Sequence, residues 1–391
     1  LETGVMRSSD PVAAFGTRLR QRRFTESDFA VARLNDPDPI DDWTAGLRVA
    51  WQGLDPAAWA SAAASGREAD AARHAEARAH RAIVFETTRV YFEAAAAEAR
   101  MRSAEAAVEA ARATHDRFAR RRGQGLLTEA DLLQARAELA SAEAALLGAR
   151  QERSEAHRRL GLAMGWAPDS IPVPTAGLGT EALSEPSAGR GDVSEAGWTP
   201  EARADVRTLA SLASAAEARA RAASSSWFPR LEAFGGYTTH AADPFTSDGP
   251  EWTVGLILSW DLFTGFRRPA TVARARASAR AARAELDRAE RAAVVEIRDA
   301  RGGLEAARGA AEASRAAVEA AAAGRDLMRR RFEEGLASPA DLLQAEARAV
   351  DMERRWIDAR AGLRVARARL ELALGGARES VSQSETRGGG Q

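Results

Sequence analysis

Hydrophobic and polar positions alternate strictly in two nine-residue stretches of this chain, each with a tryptophan at both ends. In residues 43–51 the odd positions are Trp43, Ala45, Leu47, Val49 and Trp51, set against Thr44, Gly46, Arg48 and Ala50. In residues 252–260 the even positions are Trp252, Val254, Leu256, Leu258 and Trp260, against Thr253, Gly255, Ile257 and Ser259. A period of two marks a strand with one apolar face. Nine residues with terminal indoles match a tilted membrane-spanning strand with aromatic girdles. One such stretch alone would favour a half-buried strand of a soluble sheet; two copies with matching tryptophans reverse that preference. The expected lipid-facing residues are Trp43, Leu47, Val49, Trp51, Trp252, Val254, Leu256, Leu258 and Trp260, with Arg48 and Ser259 on the water-facing side. Hairpin partners are expected at Leu1–Met6 and Leu231–Tyr237, with loops over Arg7–Asp42 and Thr238–Glu251. The first loop is long and carries Asn35-Asp36-Pro37-Asp38-Pro39, as an outward-facing connection would.

A second pattern is helical. Residues 55–122 are dominated by Ala, Arg and Glu with no proline after Pro56, which puts helix propensity near its maximum. Apolar residues recur at coiled-coil spacing, as in Val84/Tyr91 and Met101/Val108; residues 266–334 repeat the style with Ile297, Leu304, Ala311 and Val318. A helix of ~68 residues is about 100 Å long, more than a compact core needs. Alanine at the seams lets such helices approach closely. Each long helix breaks, at Gly123-Gln124-Gly125 or Glu334-Gly335. A return helix then starts at Thr128-Glu129-Ala130-Asp131 or Ser338-Pro339-Ala340-Asp341, a hydroxyl cap with a carboxylate three residues on. The return helices are expected to run to about Gly161 and Gly375.

The two halves are copies. Gly125-Leu126 with Ala130-Asp131-Leu132-Leu133-Gln134-Ala135 recurs 210 residues later as Gly335-Leu336 with Ala340-Asp341-Leu342-Leu343-Gln344-Ala345. Trp43-Thr44-x-Gly46-Leu47 recurs 209 residues later as Trp252-Thr253-x-Gly255-Leu256. A period this long is a duplicated half-domain, not one unit of a short solenoid. The expected fold class is mainly α with membrane β-barrel strands. A first β-hairpin with a long outer loop occupies residues 1–54 and a first helical hairpin 55–164. A linker and a further helix fill 165–226, followed by a second β-hairpin over 227–265 and a second helical hairpin over 266–376. Residues 377–391 form a polar tail, expected to be disordered.

Composition removes most other classes. The 391 residues carry a formal charge of −1 with arginine as the only strong base, so no global field favours nucleic acid. There is no cysteine, hence no disulfide or thiolate metal site. No apolar run reaches the length of a transmembrane helix. The opening Leu1-Glu2-Thr3-Gly4-Val5 reads as the middle of a strand, with no signal peptide before it, as in a mature fragment or a chain whose beginning is missing. Of His74, His80, His115, His157 and His240, none has a second ligand at metal spacing, and all are expected to be solvent-exposed helix histidines. No phosphate loop or nucleophile elbow occurs, so no catalytic residue, metal or cofactor is expected. Arg120-Arg121-Arg122 and Arg329-Arg330-Arg331 sit at matching places before the breaks, either to compensate a helix macrodipole or to charge a mouth or docking surface. Asp131 and Asp341 are capping residues first, with gating as a second role.

With these motifs together, the chain resembles the TolC-like outer-membrane efflux proteins over nearly its whole length. The resemblance rests on Gly-Leu-x-(Ser/Thr)-x-x-Asp-Leu-Leu-Gln-Ala at Gly125–Ala135 and Gly335–Ala345, and on Trp260-Asp261-Leu262-Phe263-Thr264-Gly265, similar to the family's strand-ending Pro-Leu-Phe-x-Gly-Gly. Asp261 stands for the usual proline and Phe266 for the second glycine, while Trp51-Gln52-Gly53-Leu54-Asp55 has drifted further. The family also carries a signal peptide and a helix ahead of the first strand, so lipidation of an N-terminal cysteine stays open.

The resemblance implies a homotrimer with a 12-stranded barrel in the bacterial outer membrane above an α-helical periplasmic tunnel. Physics agrees, since four strands leave open edges that a bilayer does not tolerate. Twelve strands enclose a lumen where about eight would be filled by side chains. The implied function is a passive exit duct for a tripartite efflux or type I secretion system, partnered by a periplasmic adaptor and an inner-membrane pump. By resemblance, Gly125, Leu126, Thr128, Asp131, Leu132, Gly335, Leu336, Ser338, Asp341 and Leu342 contact the adaptor and line the closed aperture. The alternative is a periplasmic coiled-coil adaptor or spacer without a pore.

Overall fold

The computed structural model describes residues 1–167, 172–174, 199–246 and 249–375; most of the expected linker and the whole polar tail lie outside them. The chain is mostly helical with one small sheet and divides into two compact units, residues 1–69 with 212–283, and residues 70–211 with 284–391.

In the first unit, strands β1 (Glu2–Ser8), β2 (Ile40–Leu54), β3 (Arg230–Ala241) and β4 (Gly249–Ser259) form an antiparallel sheet in the order β1-β2-β3-β4. The central pairing, β2 with β3, joins strands far apart in sequence, with Leu47 opposite Tyr237 and Trp51 opposite Ala233. β3 and β4 extend beyond the expected stretch, so the connection expected over Thr238–Glu251 shortens to residues 242–248. On one side of the sheet Phe234 lies across Gly255, where an added Cβ would collide with the ring.

The connection expected to be a long loop over Arg7–Asp42 is instead folded. It holds helix α1 (Pro11–Arg20), a 3-10 turn at Glu26–Phe29 and helix α2 (Val31–Asn35). Asp10 caps α1 by accepting from the Ala13 amide at 2.8 Å, and Pro11 supplies a pre-set φ at the first position. Phe15, Phe24 and Phe29 then pack edge to face, with centroids 4.8 and 5.0 Å apart. The buried Gln21 amide ties this element to the sheet, donating to the Asp41 carbonyl at 2.8 Å and the Ala241 carbonyl at 3.1 Å. Beside it His240 Nδ1 lies 2.8 Å from the Asp42 carboxylate.

Helix α3 (Pro56–Gly123) follows β2 directly, its first amides held by Asp55, which accepts from Ala57 and Ala58 at 3.0 Å. At the other exit, the backbone turns into α6 (Arg267–Glu333) through Gly265 and Phe266 at φ +58° and +64°. The phenylalanine that replaces the family's second glycine therefore holds a left-handed conformation, at a cost of about 1 kcal/mol.

In the second unit the long helices α3 and α6, of 68 and 67 residues, turn back as α4 (Glu129–Ala163) and α7 (Pro339–Ala373), each of 35. Four consecutive alanines of α3 serve two interfaces. Ala94 and Ala97 pack on Ala156 and Leu160 of α4, while Ala95 and Ala96 pack on Ile357 and Ala361 of α7. Side chains this small let two helices close on α3 from two directions. Elsewhere α6 meets α7 through Ile297, Ala300, Leu370, Ala373 and Leu374. Met101 and Val108 are buried as the seven-residue spacing requires, but Val84 is 52% exposed and lies outside the seam. Two histidines depart from expectation as well. His157 is buried against Glu98, with burial pushing its pKa down, and His240 is buried on a strand.

Helix α5 (Ala204–Ser225) enters this unit through an ionic knot. The buried Arg203 guanidinium bonds Asp205 at 2.6 Å, Glu296 of α6 at 2.7 Å and the Ala373 carbonyl at 3.0 Å. Arg78 of α3 donates to the Leu372 carbonyl at 3.2 Å. Two cations thus satisfy the orphan carbonyls and the negative end of α7. Burial pushes the Asp205 carboxyl up, but the hydrogen bond and charge of Arg203 outweigh it and leave the group below its ordinary 3.8. Its contribution to stability is therefore present above that value and lost as pH falls through the depressed one. We predict that Arg203→Met costs about 2 kcal/mol at neutral pH. In thermal melts the gap to wild type should narrow below pH 4; a gap independent of pH would rule out the charged pair as the cause.

Candidate membrane face and tip contacts

The register decides which side chains share a face. Trp43, Leu47, Val49 and Trp51 lie opposite Ala241, Tyr237, Gly235 and Ala233, which in turn oppose or precede Trp252, Val254 and Leu256. Val5 opposite Trp43 and Leu258 opposite Leu231 extend the same face. The two apolar stretches therefore form one continuous surface across all four strands, and every expected lipid-facing residue is exposed, Trp43 least at 38%. Trp260 sits just past the end of β4, its indole donating to the Trp227 carbonyl at 3.2 Å. The other face is the more polar one, carrying Thr44, Arg48, Glu232, Thr238, His240, Thr253 and Ser259 beside Met6, Phe234 and Ile257. Both outer strands, β1 and β4, keep one unpaired edge.

The tips are built from backbone necessity. Gly125 and Gly335 hold φ of +74° and +77°, which a side chain would resist. Each is followed by a closed capping box. Thr128 accepts from the Asp131 amide at 3.2 Å and Asp131 from the Thr128 amide at 2.9 Å, and Ser338 and Asp341 do the same at 3.2 Å each. The Ser338 hydroxyl and amide hold the Asp341 carboxyl below its usual range. Phe118, Phe332, Ala135, Leu342 and Leu343 form a shared core beneath both turns, with Leu132 at its margin. Arg121 stacks over Phe332 at 4.6 Å and donates to the last carbonyls of α6, Phe332 and Glu333, at 2.8 Å. One arginine of the three in the first run thus compensates a helix end, but that of the other hairpin.

Identical motifs end up in different surroundings. Leu126 and Leu336 project outward, 66% and 67% exposed, whereas Leu342 is 0% exposed and belongs to the core rather than to a contact surface. Leu132, its counterpart in the first copy, is half-buried, and Leu133 is exposed where Leu343 is buried. Sequence reasoning also missed Glu346 on α7, whose two oxygens accept from the Thr114 hydroxyl of α3 at 2.9 and 3.1 Å. Burial raises its pKa against the pull of that bond and of Arg329. The first copy has Arg136 at this place, so no repeat signal pointed to it.

A family model described as "Outer membrane efflux protein" matches residues 14–166 and 200–376. The chain belongs to the outer membrane efflux protein family. No curated protein matches it. Among solved structures, the outer membrane protein VceC from Vibrio cholerae aligns over 96% of this chain and 85% of its own, at 22% identity and a TM-score of 0.73. The Campylobacter jejuni CmeC outer membrane channel aligns over 99% and 80%, at 16% identity and TM-score 0.74. The open state of the Neisseria gonorrhoeae MtrE outer membrane channel aligns over 96% and 79%, at 19% identity and TM-score 0.70. The likeness is one of fold, a mostly helical chain with a small sheet, shared with outer membrane efflux channels.

The tip core separates packing from surface within one motif of this efflux-family chain. Leu342→Ser should cost at least about 3 kcal/mol, from a lost apolar contact and a buried hydroxyl. Leu126→Ser with Leu336→Ser should stay within about 0.5 kcal/mol per site. Denaturant titration ranks the two; equal losses would mean that the exposed leucines are packed in the assembled protein.

Proposed function

We propose that the protein is an outer-membrane exit duct. Three copies close their sheets into a 12-stranded barrel, and their helical hairpins form a periplasmic tunnel that passes substrates outward. The observation that carries this is the sheet itself, with one continuous apolar face, one polar face and two open edges. An exposed apolar face of that size has no place in water. In lipid an open edge strands backbone N–H and C=O groups, each at a cost of several kcal/mol. Pairing β4 of one copy with β1 of the next removes both edges, and three copies leave a water-filled lumen lined by the polar face. Arg48 and Thr253 then face water, while the indoles of Trp43, Trp51 and Trp252 lie at the girdles.

The tips supply the second half of the proposal. Six similar turns, two per copy, ring one mouth and offer Leu126 and Leu336 to the helical hairpins of a periplasmic adaptor, which couples the duct to an inner-membrane pump. Gly125 and Gly335 shape the turns, and Thr128, Asp131, Ser338 and Asp341 hold them. Leu342 and Leu132 act from beneath. The substrate is chosen by the pump, since a wide tunnel selects little.

Arginine on the lipid face near the midplane costs on the order of 2–4 kcal/mol. Leu256→Arg should therefore abolish the trimer in outer-membrane extracts while Ser259→Arg is tolerated; the reverse ranking would put the faces out by one residue. Leu126→Ser with Leu336→Ser should abolish export in cells at an unchanged trimer yield. Persistent export would exclude the docking role.

A further inference from the structure

Many arginines along the helices of this chain are matched by acid. Arg89 pairs with Glu86 and Glu93, Arg112 with Glu109, Arg315 with Glu319 and Arg355 with Asp351. One stretch has no acid to offer. Between Asp261 and Glu285 there are six arginines and no acidic residue. The stretch opens α6, directly after β4 and a run of exposed apolar side chains, Trp260, Leu262, Phe263 and Phe266. Trp51 at the end of β2 and Trp227 with Phe228 at the start of β3 add to that belt. Aromatic rings mark the depth at which a bilayer passes from hydrocarbon to headgroups, so on that placement the first of the arginines that follow lie on the headgroup side of the belt.

Beside this stretch lies a shallow, open hollow of about 390 Å³, lined by Ala220, Arg221, Ser224, Ser225 and Phe228 from the end of α5 and its exit, and by Arg276 of α6. Neither Arg221 nor Arg276 has an acidic partner among the described residues. Arg219, one residue from Arg221, is by contrast paired with Glu68. The Ser224 hydroxyl is spent on the Ala220 carbonyl at 2.9 Å, whereas the Ser225 hydroxyl has no partner among the described residues. Two forked guanidinium groups and a hydroxyl donor over one hollow suit a tetrahedral, singly charged phosphodiester, since guanidinium donors match phosphate oxygens in pairs. Phe228, exposed at the rim, offers a wall to the first methylenes of an acyl chain.

We propose that this hollow binds the headgroup phosphate of an anionic phospholipid, anchoring each copy at the inner surface of its membrane. The proposal rests on the membrane placement of the sheet argued above. Each arginine near a charged lipid surface contributes roughly a factor of five in binding. The test uses the full chain purified in detergent and offered phosphatidylglycerol or phosphatidylcholine, with retained lipid counted by native mass spectrometry. Wild type should retain phosphatidylglycerol in preference to phosphatidylcholine. Arg221→Gln with Arg276→Gln should weaken that retention by roughly 25-fold, two such factors. Arg308→Gln with Arg348→Gln, on exposed positions of α6 and α7, should change it less than about twofold. Unchanged retention in the first double variant overturns the site, as does inorganic phosphate competing as well as the lipid does, which would make it a free-anion site. Failure of the wild-type chain to enter vesicles of any composition sinks the membrane placement and the site with it. Normal insertion with unaltered lipid preference in the variant sinks the site alone.

Discussion

Backbone hydrogen bonding is the constraint from which this protein's organisation follows. A four-stranded sheet satisfies its inner ladders but leaves the outward N–H and C=O groups of β1 and β4 open. In water such an edge would be solvated, and the cost would be modest. The face that carries Leu47, Val49, Val254 and Leu256 is suited to lipid rather than water, and there the edge cannot be left open. On the proposed membrane placement, fold and assembly are then one problem. The pairing of β2 with β3 shows the solution already at work, since it closes the inner edges of two hairpins distant in sequence.

The helices solve a different problem with the opposite chemistry. Their interfaces are thin, built largely on alanine, and the Ala94–Ala97 run serves two partners at once. Little apolar area is buried per residue in such a seam, so its ends need further support. They receive it from arginine. Arg78 and Arg203 hold the end of α7, and Arg121 holds the end of α6 while stacking on Phe332. Charge here secures helix termini. Near the start of α6, Arg268 has such a duty, donating to the Asp261 carbonyl and stacking over Trp227, whereas Arg276 has no acidic partner among the described residues.

Much of this was legible in the sequence, for physical reasons that differ by element. Period-two patterning with tryptophan at the ends gave the faces of β2 and β4, because strand geometry maps residue parity onto sides. The capping boxes at Thr128 and Ser338 were legible because three residues suffice to define them. What stayed hidden depends on tertiary contact. Helix α1 is only ten residues long and is held by one glutamine reaching two strands, although Asp10-Pro11 was a start signal that the long loop obscured. Val84 fits the heptad spacing yet is half-exposed and belongs to no buried cluster. His157 and His240 are buried by partners that no local pattern announces. Leu132 and Leu342 occupy the same place in a repeated motif and differ in burial because the hairpins they join differ around them. A repeat predicts backbone well and surroundings poorly.

The central claim is that this sheet is a third of a closed barrel. The most direct measurement is the protein mass of the purified chain in detergent, by light scattering corrected for bound detergent. The account predicts a single species of three times 41.7 kDa that requires detergent to stay in solution. A stable monomer of 41.7 kDa, soluble without detergent, would contradict it.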